Sequence, residues 1–375
     1  MKLKELVMMF KIFMWPVRLI LIIFGIVPLT RCSSGYSENN GKVMYNGKEI
    51  TDKSFKVLSK EFAKDSTAAY YKERAFQYAD VPTFQAVDEH YAKDTNKVYY
   101  CDEYREGQNY YMTKKQTIME LENVIPASFV SLDNGYGKDA QHAFFCGKRF
   151  AVKDIASFKS LDINFSKDNI QAYLNCIPVK ESDGKTFEIT DHSFAKDSKH
   201  VYYYAFDGDG KYNICILPCD VKTFKIIDYR FSKDTNKVFF LGFTLKDADA
   251  ATFEVLNAGY SKDKNAVYFH EKKIPAVDPL TFNVYQENDS FNQDVHYAKD
   301  NTSVYVNDKR ITGADVVSFK LMGENYGRDN KHVFYKTNLV KDANPASFNV
   351  YPHDVGDADA EDGKTKFHEG IKVRD

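Results

Sequence analysis

Tyr91-Ala92-Lys93-Asp94-Thr95-Asn96-Lys97-Val98-Tyr99-Tyr100 decides the fold. β-Branched and aromatic residues fit a pleated, half-buried surface, so both ends of the stretch read as strands. Asp94 and Asn96 lie between them, and such side chains bond their own backbone two residues on and tolerate turn geometry. The stretch therefore predicts a β-hairpin with Asp94 starting its turn. The same pattern returns from Phe62-Ala63-Lys64-Asp65 to Tyr326-Gly327-Arg328-Asp329, followed by runs such as Val201-Tyr202-Tyr203 and Val333-Phe334-Tyr335. In phase with it stand ten Ser/Thr-Phe pairs, ending at Phe55, Phe84, Phe129, Phe158, Phe187, Phe224, Phe253, Phe282, Phe319 and Phe348. Their gaps are 29, 45, 29, 29, 37, 29, 29, 37 and 29 residues, so one module is copied and enlarged in three places. A module of this size cannot bury its own apolar face and has to stack on its neighbours.

The rest of the module is also readable. An Asp or Asn stands four residues before the Phe in eight of the ten copies, as in Asp80, Asp154, Asp183, Asp220 and Asn344. Asp-x-x-Ser/Thr is an N-cap signature, and the run after it allows a single helical turn that swings the Phe inward. The residues after the Phe, such as Glu254-Val255-Leu256, alternate and suggest a third short strand. Aromatics make up 15% of the chain, as expected if each module contributes one Phe and further Tyr or Phe to a core. Rows of exposed Tyr stacking on sugars are the sharper alternative. The Lys-Asp pair reads as a solvated edge and a turn. The balance of 51 basic and 53 acidic residues argues against nucleic acid, which would call for a basic stripe.

On these residues the chain resembles the DKNYY family of bacterial repeat proteins, named for a Lys/Asp–Asn–Tyr–Tyr motif, from Lys42 to about Val373. The resemblance implies an exported or surface protein with no activity or ligand site to carry over. The single Trp, Trp15, lies outside the repeats, unlike Trp-containing propeller repeats.

The ends differ from the modules. Lys2, Lys4, Lys11 and Arg18 precede an apolar run from Leu19 to Leu29. Eleven helical residues span about 16 Å, short of the ~30 Å membrane core, so residues 1–31 read as a signal peptide. Leu29-Thr30-Arg31-Cys32-Ser33-Ser34-Gly35 looks like a lipoprotein signal that would leave a lipid on Cys32, although Arg31 departs from the small residue expected there. A secreted or periplasmic protein and an uncleaved N-terminal anchor are the alternatives. Residues 32–41 then form a polar tether, and 42–375 the repeat domain. Its ends are atypical caps: Lys42–Lys48 lacks the Asp-bearing strand, and Ala360–His368 is a degraded hairpin.

No nucleophile motif, phosphate loop or paired-His metal motif is present, and no cofactor is expected. His142, His200 and His332 share a module position but fall in separate modules. Asp207-Gly208-Asp209-Gly210 lacks the remaining ligands of a Ca²⁺ loop, and Cys215-x-x-x-Cys219 lacks metal-binding partners. Cys101 and Cys146 each fall seven residues after their module's Asp, so a disulfide between them requires equivalent strands to pair directly. The 16-residue insertion after Tyr100 carries Tyr104, Tyr110, Tyr111 and Met112, the candidate interaction loop.

The expected fold is thus all-β: about nine tandem hairpin modules in an open, elongated or gently curved solenoid, with a closed propeller as alternative. The expected function is a non-catalytic envelope scaffold or binding module. It would be held at the membrane by a lipid or N-terminal anchor and would meet an envelope protein or glycan. A carbohydrate-active enzyme and a purely structural spacer are the competing readings.

Overall fold

The computed structural model describes residues 35–105, 114–191, 193–208, 211–257, 259–285, 295–323, 325–355 and 357–373. They are almost entirely β. One three-stranded sheet is followed by ten four-stranded antiparallel sheets, one for each Ser/Thr-Phe pair. In the seventh, Glu254–Val255, Tyr260–Lys262, Val267–Phe269 and Lys272–Lys273 pair in sequence order, and the other modules repeat this meander. Every sheet stays open, and none closes into a barrel.

The expected hairpin and third strand are present, and a fourth strand is added. It follows a two-residue turn such as Leu241-Gly242, whose φ values are 45° and 82°. Both residues are left-handed, the geometry that matches strand twist in a tight hairpin. The fourth strands are short and exposed, as in Lys272–Lys273 and Lys309–Arg310. These two carry no apolar alternation to read, and their charge discourages pairing at an open edge.

The repeated Asp is a buried hub. One Asp94 carboxylate oxygen accepts the N–H groups of Asn96 and Lys97, both at 2.8 Å. The other accepts the Tyr99 hydroxyl at 2.9 Å and the Asp80 N–H at 3.0 Å, tying the hairpin to the turn before the Phe. Asp197, Asp263 and Asp300 repeat all four bonds. Asp94 is 3% exposed and Asp168 1%, so the reading of the Lys-Asp pair as a solvated edge is corrected. The expected cap is present too. Thr83 donates its hydroxyl to Asp80 at 2.6 Å and accepts the Thr95 N–H at 3.0 Å, which explains why Ser or Thr precedes every repeated Phe.

The Lys of the same pair joins one module to the next. Lys138 Nζ donates to the carbonyls of Ile155, Ala156 and Phe158, the turn of the following module, at 2.9–3.1 Å. Lys64 does the same to Val81, Pro82 and Phe84. The Phe fills the space between. Phe129 lies 5.2 Å from Tyr91 of the previous module and 6.0 Å from Phe144 of its own. The small residue before the Lys leaves room for that ring: a Cβ on Gly137 would come within 2.6 Å of Phe129 Cζ. Most module tyrosines are core residues, with Tyr91, Tyr136, Tyr202, Tyr260 and Tyr326 fully buried. Rows of exposed Tyr at these positions are therefore excluded.

Two expectations about the ends change. Tyr36–Asn39, inside the expected tether, is a strand paired with Lys42–Tyr45 across an Asn40-Gly41 turn with φ values of 51° and 74°. The degraded C-terminal hairpin forms a full sheet from Asn349–Val355, Ala358–Glu361, Lys366–His368 and Ile371–Lys372. In that sheet Asp359 and Glu361 replace the aromatic and the Lys that reach a following module elsewhere. Asp359 instead accepts the Tyr326 hydroxyl and the Glu369 N–H, both at 2.7 Å.

The residues group into two compact units, one running to Asn169 with Tyr173–Pro178, the other made of Ile170–Ala172 and Val179 onward.

Candidate functional site

Two of the three enlarged modules carry their added residues in the hairpin between the third and fourth strands. In the eighth module the added residues fall between the first strand, Asn283–Val284, and the second, Tyr297–Lys299. In the second module Val98–Tyr104 pairs with Lys115–Glu120, with Tyr104 opposite Lys115. The expected loop is therefore a two-stranded arm over its described length, because the inserted residues continue the ladder on both sides. In the fifth module Val201–Phe206 and Tyr212–Leu217 form a second arm.

The first arm is held by charge. Lys72 of the first module lies 3.4 Å from Glu61 and 3.0 Å from Glu103, and Lys114 lies 2.5 Å from Glu103. Burial works against the Glu103 carboxylate, but the Lys114 and Lys72 ammonium groups outweigh it and hold Glu103 below its ordinary range. Arg74 adds a bond to the Gln116 carbonyl at 2.6 Å. Tyr104 ends the described strand at 40% exposure. Tyr110, Tyr111 and Met112 lie outside the described residues, as does Cys32.

The second arm carries an aromatic face that sequence reasoning passed over. Tyr212 lies 5.3 Å from Phe206 and 6.3 Å from Tyr204, and Phe206 is 58% exposed. Its signal was the alternation Tyr202-Tyr204-Phe206 within a 37-residue gap. At the base of its tip Asp207 accepts the Lys211 N–H and the Asn213 side-chain amide.

The proposed disulfide does not form: Cys101 and Cys146 are both free thiols. Successive strand residues face opposite sides. Cys101 therefore joins Tyr99, Phe62 and Phe76 on one face, while Tyr100 turns to the other, where Cys146 packs with Tyr91 and Phe129. The insertion places Cys101 inside a strand, whereas Cys146 begins a turn.

Burial works against the thiolate at Cys101, Cys176 and Cys219. Burial pushes Cys176 up to about 12 and Cys219 up to about 11, and raises Cys101 further. A nucleophilic Cys needs the opposite shift. The Asp197 hub is held in its charged form. Burial opposes the charge of Asp197, but the N–H groups of Asp183, Lys199 and His200 and the Tyr202 hydroxyl outweigh it and lower its pKa. His142, His200 and His332 each face their own hub, with Nδ1 at 3.1, 3.8 and 3.6 Å from Asp139, Asp197 and Asp329. Among the described residues no group of three or more His, Cys, Asp or Glu side chains is placed to hold a metal ion.

These features define an all-β repeat protein of four-stranded modules locked by a buried Asp, a Ser/Thr cap and an intermodule Lys. The DKNYY family model matches residues 15–103, 104–242, 240–296 and 297–373, and the chain belongs to that family. No match is found among curated proteins.

Proposed function

We propose that the chain is a non-catalytic scaffold or binding module of the cell envelope, anchored by a lipid on Cys32, with its two arms as contact surfaces. One observation carries this reading: the repeated polar groups are consumed in construction. Hub carboxylates are buried and saturated by donors, as at Asp94 and Asp197. Lys ammonium groups are spent on neighbouring carbonyls, as at Lys64 and Lys138. A carbohydrate-active enzyme would need carboxylates with room to exchange protons, and these have none. Two of the three enlargements fall instead on the arms, where a partner can be met without disturbing the modules.

The register suggests a clean test. Removing residues 102–117 rejoins Tyr100 to Met119 through Cys101 and Ile118, the two-residue turn used by other modules. A partner retained from envelope extract by the intact chain and lost by this variant supports the binding reading. Equal capture by both removes the first arm from it. Labelling with radioactive palmitate tests the anchor: label lost in Cys32→Ala supports it, and a Cys32-independent result removes it.

A further inference from the structure

Modules six and seven bring an arginine and a histidine together that neither the hubs, the intermodule lysines nor the arms use. Arg230 immediately precedes Phe231–Lys233, and its carbonyl accepts the Leu241 N–H at 2.8 Å. His270 occupies the equivalent turn of the next module in left-handed geometry, with φ 53°. Its ring lies between two aromatics, 5.8 Å from Phe240 at 16° and 4.3 Å from Phe269 at 19°. Because Phe240 pairs directly with Phe231, this stacking carries His270 back to the end of the sheet that Arg230 begins. His296 precedes Tyr297–Lys299 of module eight, with its ring 6.3 Å from Phe269.

At equivalent positions of the first two modules the cations meet carboxylates. Lys72 meets Glu61 and Glu103, and His90 lies 3.7 Å from Glu89 and 4.0 Å from Asp102. Lys272, beside the pair, lies 3.6 Å from Asp308. Among the described residues, Arg230 and His270 form no ion pair, and the buried Arg230 Nε has no hydrogen-bond partner. The guanidinium rests over the Tyr229 ring at 4.9 Å, which leaves its N–H edge for another acceptor. The groups that act on His270 are Arg230, His296 and Lys272, which disfavour its charge together with burial, and Glu271, which favours it. A buried guanidinium edge without an acceptor is costly. Charge-assisted bonds to an oxyanion would relieve it.

We propose that Arg230 and His270 form a binding site for a carboxylate or phosphate oxyanion. Arg230 supplies the fixed charge, and protonated His270 supplies a second donor. Binding is therefore tighter at pH 5 than at pH 7.5. A bound anion that raises the His270 midpoint by about one unit binds the protonated form about tenfold more tightly.

The experiment follows the His270 ring resonance through a pH titration of the full chain in chloride, acetate or inorganic phosphate at equal ionic strength. His270→Asn assigns the signal and tolerates the left-handed backbone. The midpoint is expected to rise in acetate, phosphate or both relative to chloride, and the rise to disappear in Arg230→Gln. A response to acetate alone identifies a carboxylate site, and one to phosphate alone a phosphate site. Identical midpoints in all three salts overturn the proposal, as does a rise that survives Arg230→Gln. Arg230→Lys, which keeps the charge but loses the fork, serves if the Gln variant melts early, and it should retain less than half of the shift.

Discussion

Replacing Asp197 by Ala tests whether the hub holds the module. The carboxylate accepts the N–H groups of Asp183, Lys199 and His200 at 2.8, 2.7 and 2.7 Å and the Tyr202 hydroxyl at 2.8 Å. Asp197 is 4% exposed, so truncation leaves these donors without an acceptor. Bonds to a charged group contribute about 1.5–3 kcal/mol each, but they are not additive once water enters the gap. Removing one partner of a buried charged network costs about 3–5 kcal/mol, and about 4 kcal/mol is expected here. Asp197→Asn keeps one acceptor for Lys199 and His200 but turns an amide donor toward the Asp183 N–H, so about 2 kcal/mol is expected. The control is Asp220→Ala. That exposed cap accepts only the Lys222 N–H and the Thr223 hydroxyl, at 3.0 Å each, and its loss should cost about 1 kcal/mol. Urea unfolding followed by circular dichroism gives the three values, and hydrogen exchange across 183–203 locates the loosening. A loss for Asp197→Ala no larger than that for Asp220→Ala would refute the hub.

Other perturbations probe the remaining parts. Lys138→Met removes three bonds to the next module's turn and should cost about 2 kcal/mol, with hydrogen exchange rising around Ile155–Phe158. Gly137→Ala pushes a methyl against Phe129 and should cost about 1–3 kcal/mol in a thermal melt. An unchanged melting temperature would show that the ring moves freely. The hub carboxylates have folded pKa values below their unfolded value of 3.8: Asp65 about 2, and Asp139, Asp197, Asp234, Asp300 and Asp329 lowered. Their stabilisation is therefore complete above pH 3.8 and lost as pH falls through the folded values. Melting temperature should hold from pH 7 to 5 and drop steeply below about pH 4. Alkylation after denaturation without reductant should label both Cys101 and Cys146, and a peptide linking them would contradict the strand alternation.

Much of the module was legible because its signals are local. Asp94 announces a turn, Val98-Tyr99-Tyr100 a strand, and Asp80-x-x-Thr83 a cap, each through bonds within a few residues. The fourth strand was not legible. Lys272–Lys273 has no apolar pattern, and its place depends on the two-residue turn before it. Tyr36–Asn39 was taken for tether because its polar residues hide a strand that only pairing with Lys42–Tyr45 reveals. The arms were legible as enlarged gaps, but a gap gives the number of added residues and not whether they ladder.

The sequence by itself determined the period and the residues that form each turn, because those follow from spacing and from backbone bonding between near neighbours. It gave about nine modules where the structure has ten, because the last one, Asn349–Lys372, has lost its aromatic and Lys. Only the tertiary structure decided what Asp94 and Lys93 are for. Burial turns an ordinary turn carboxylate into a four-bond lock. Stacking brings the carbonyls of Pro126 and Phe129, more than thirty residues away, to the Lys93 ammonium. The fate of Cys101 and Cys146 was decided there as well, since each faces the module before its own, and the second sheet therefore stands between them.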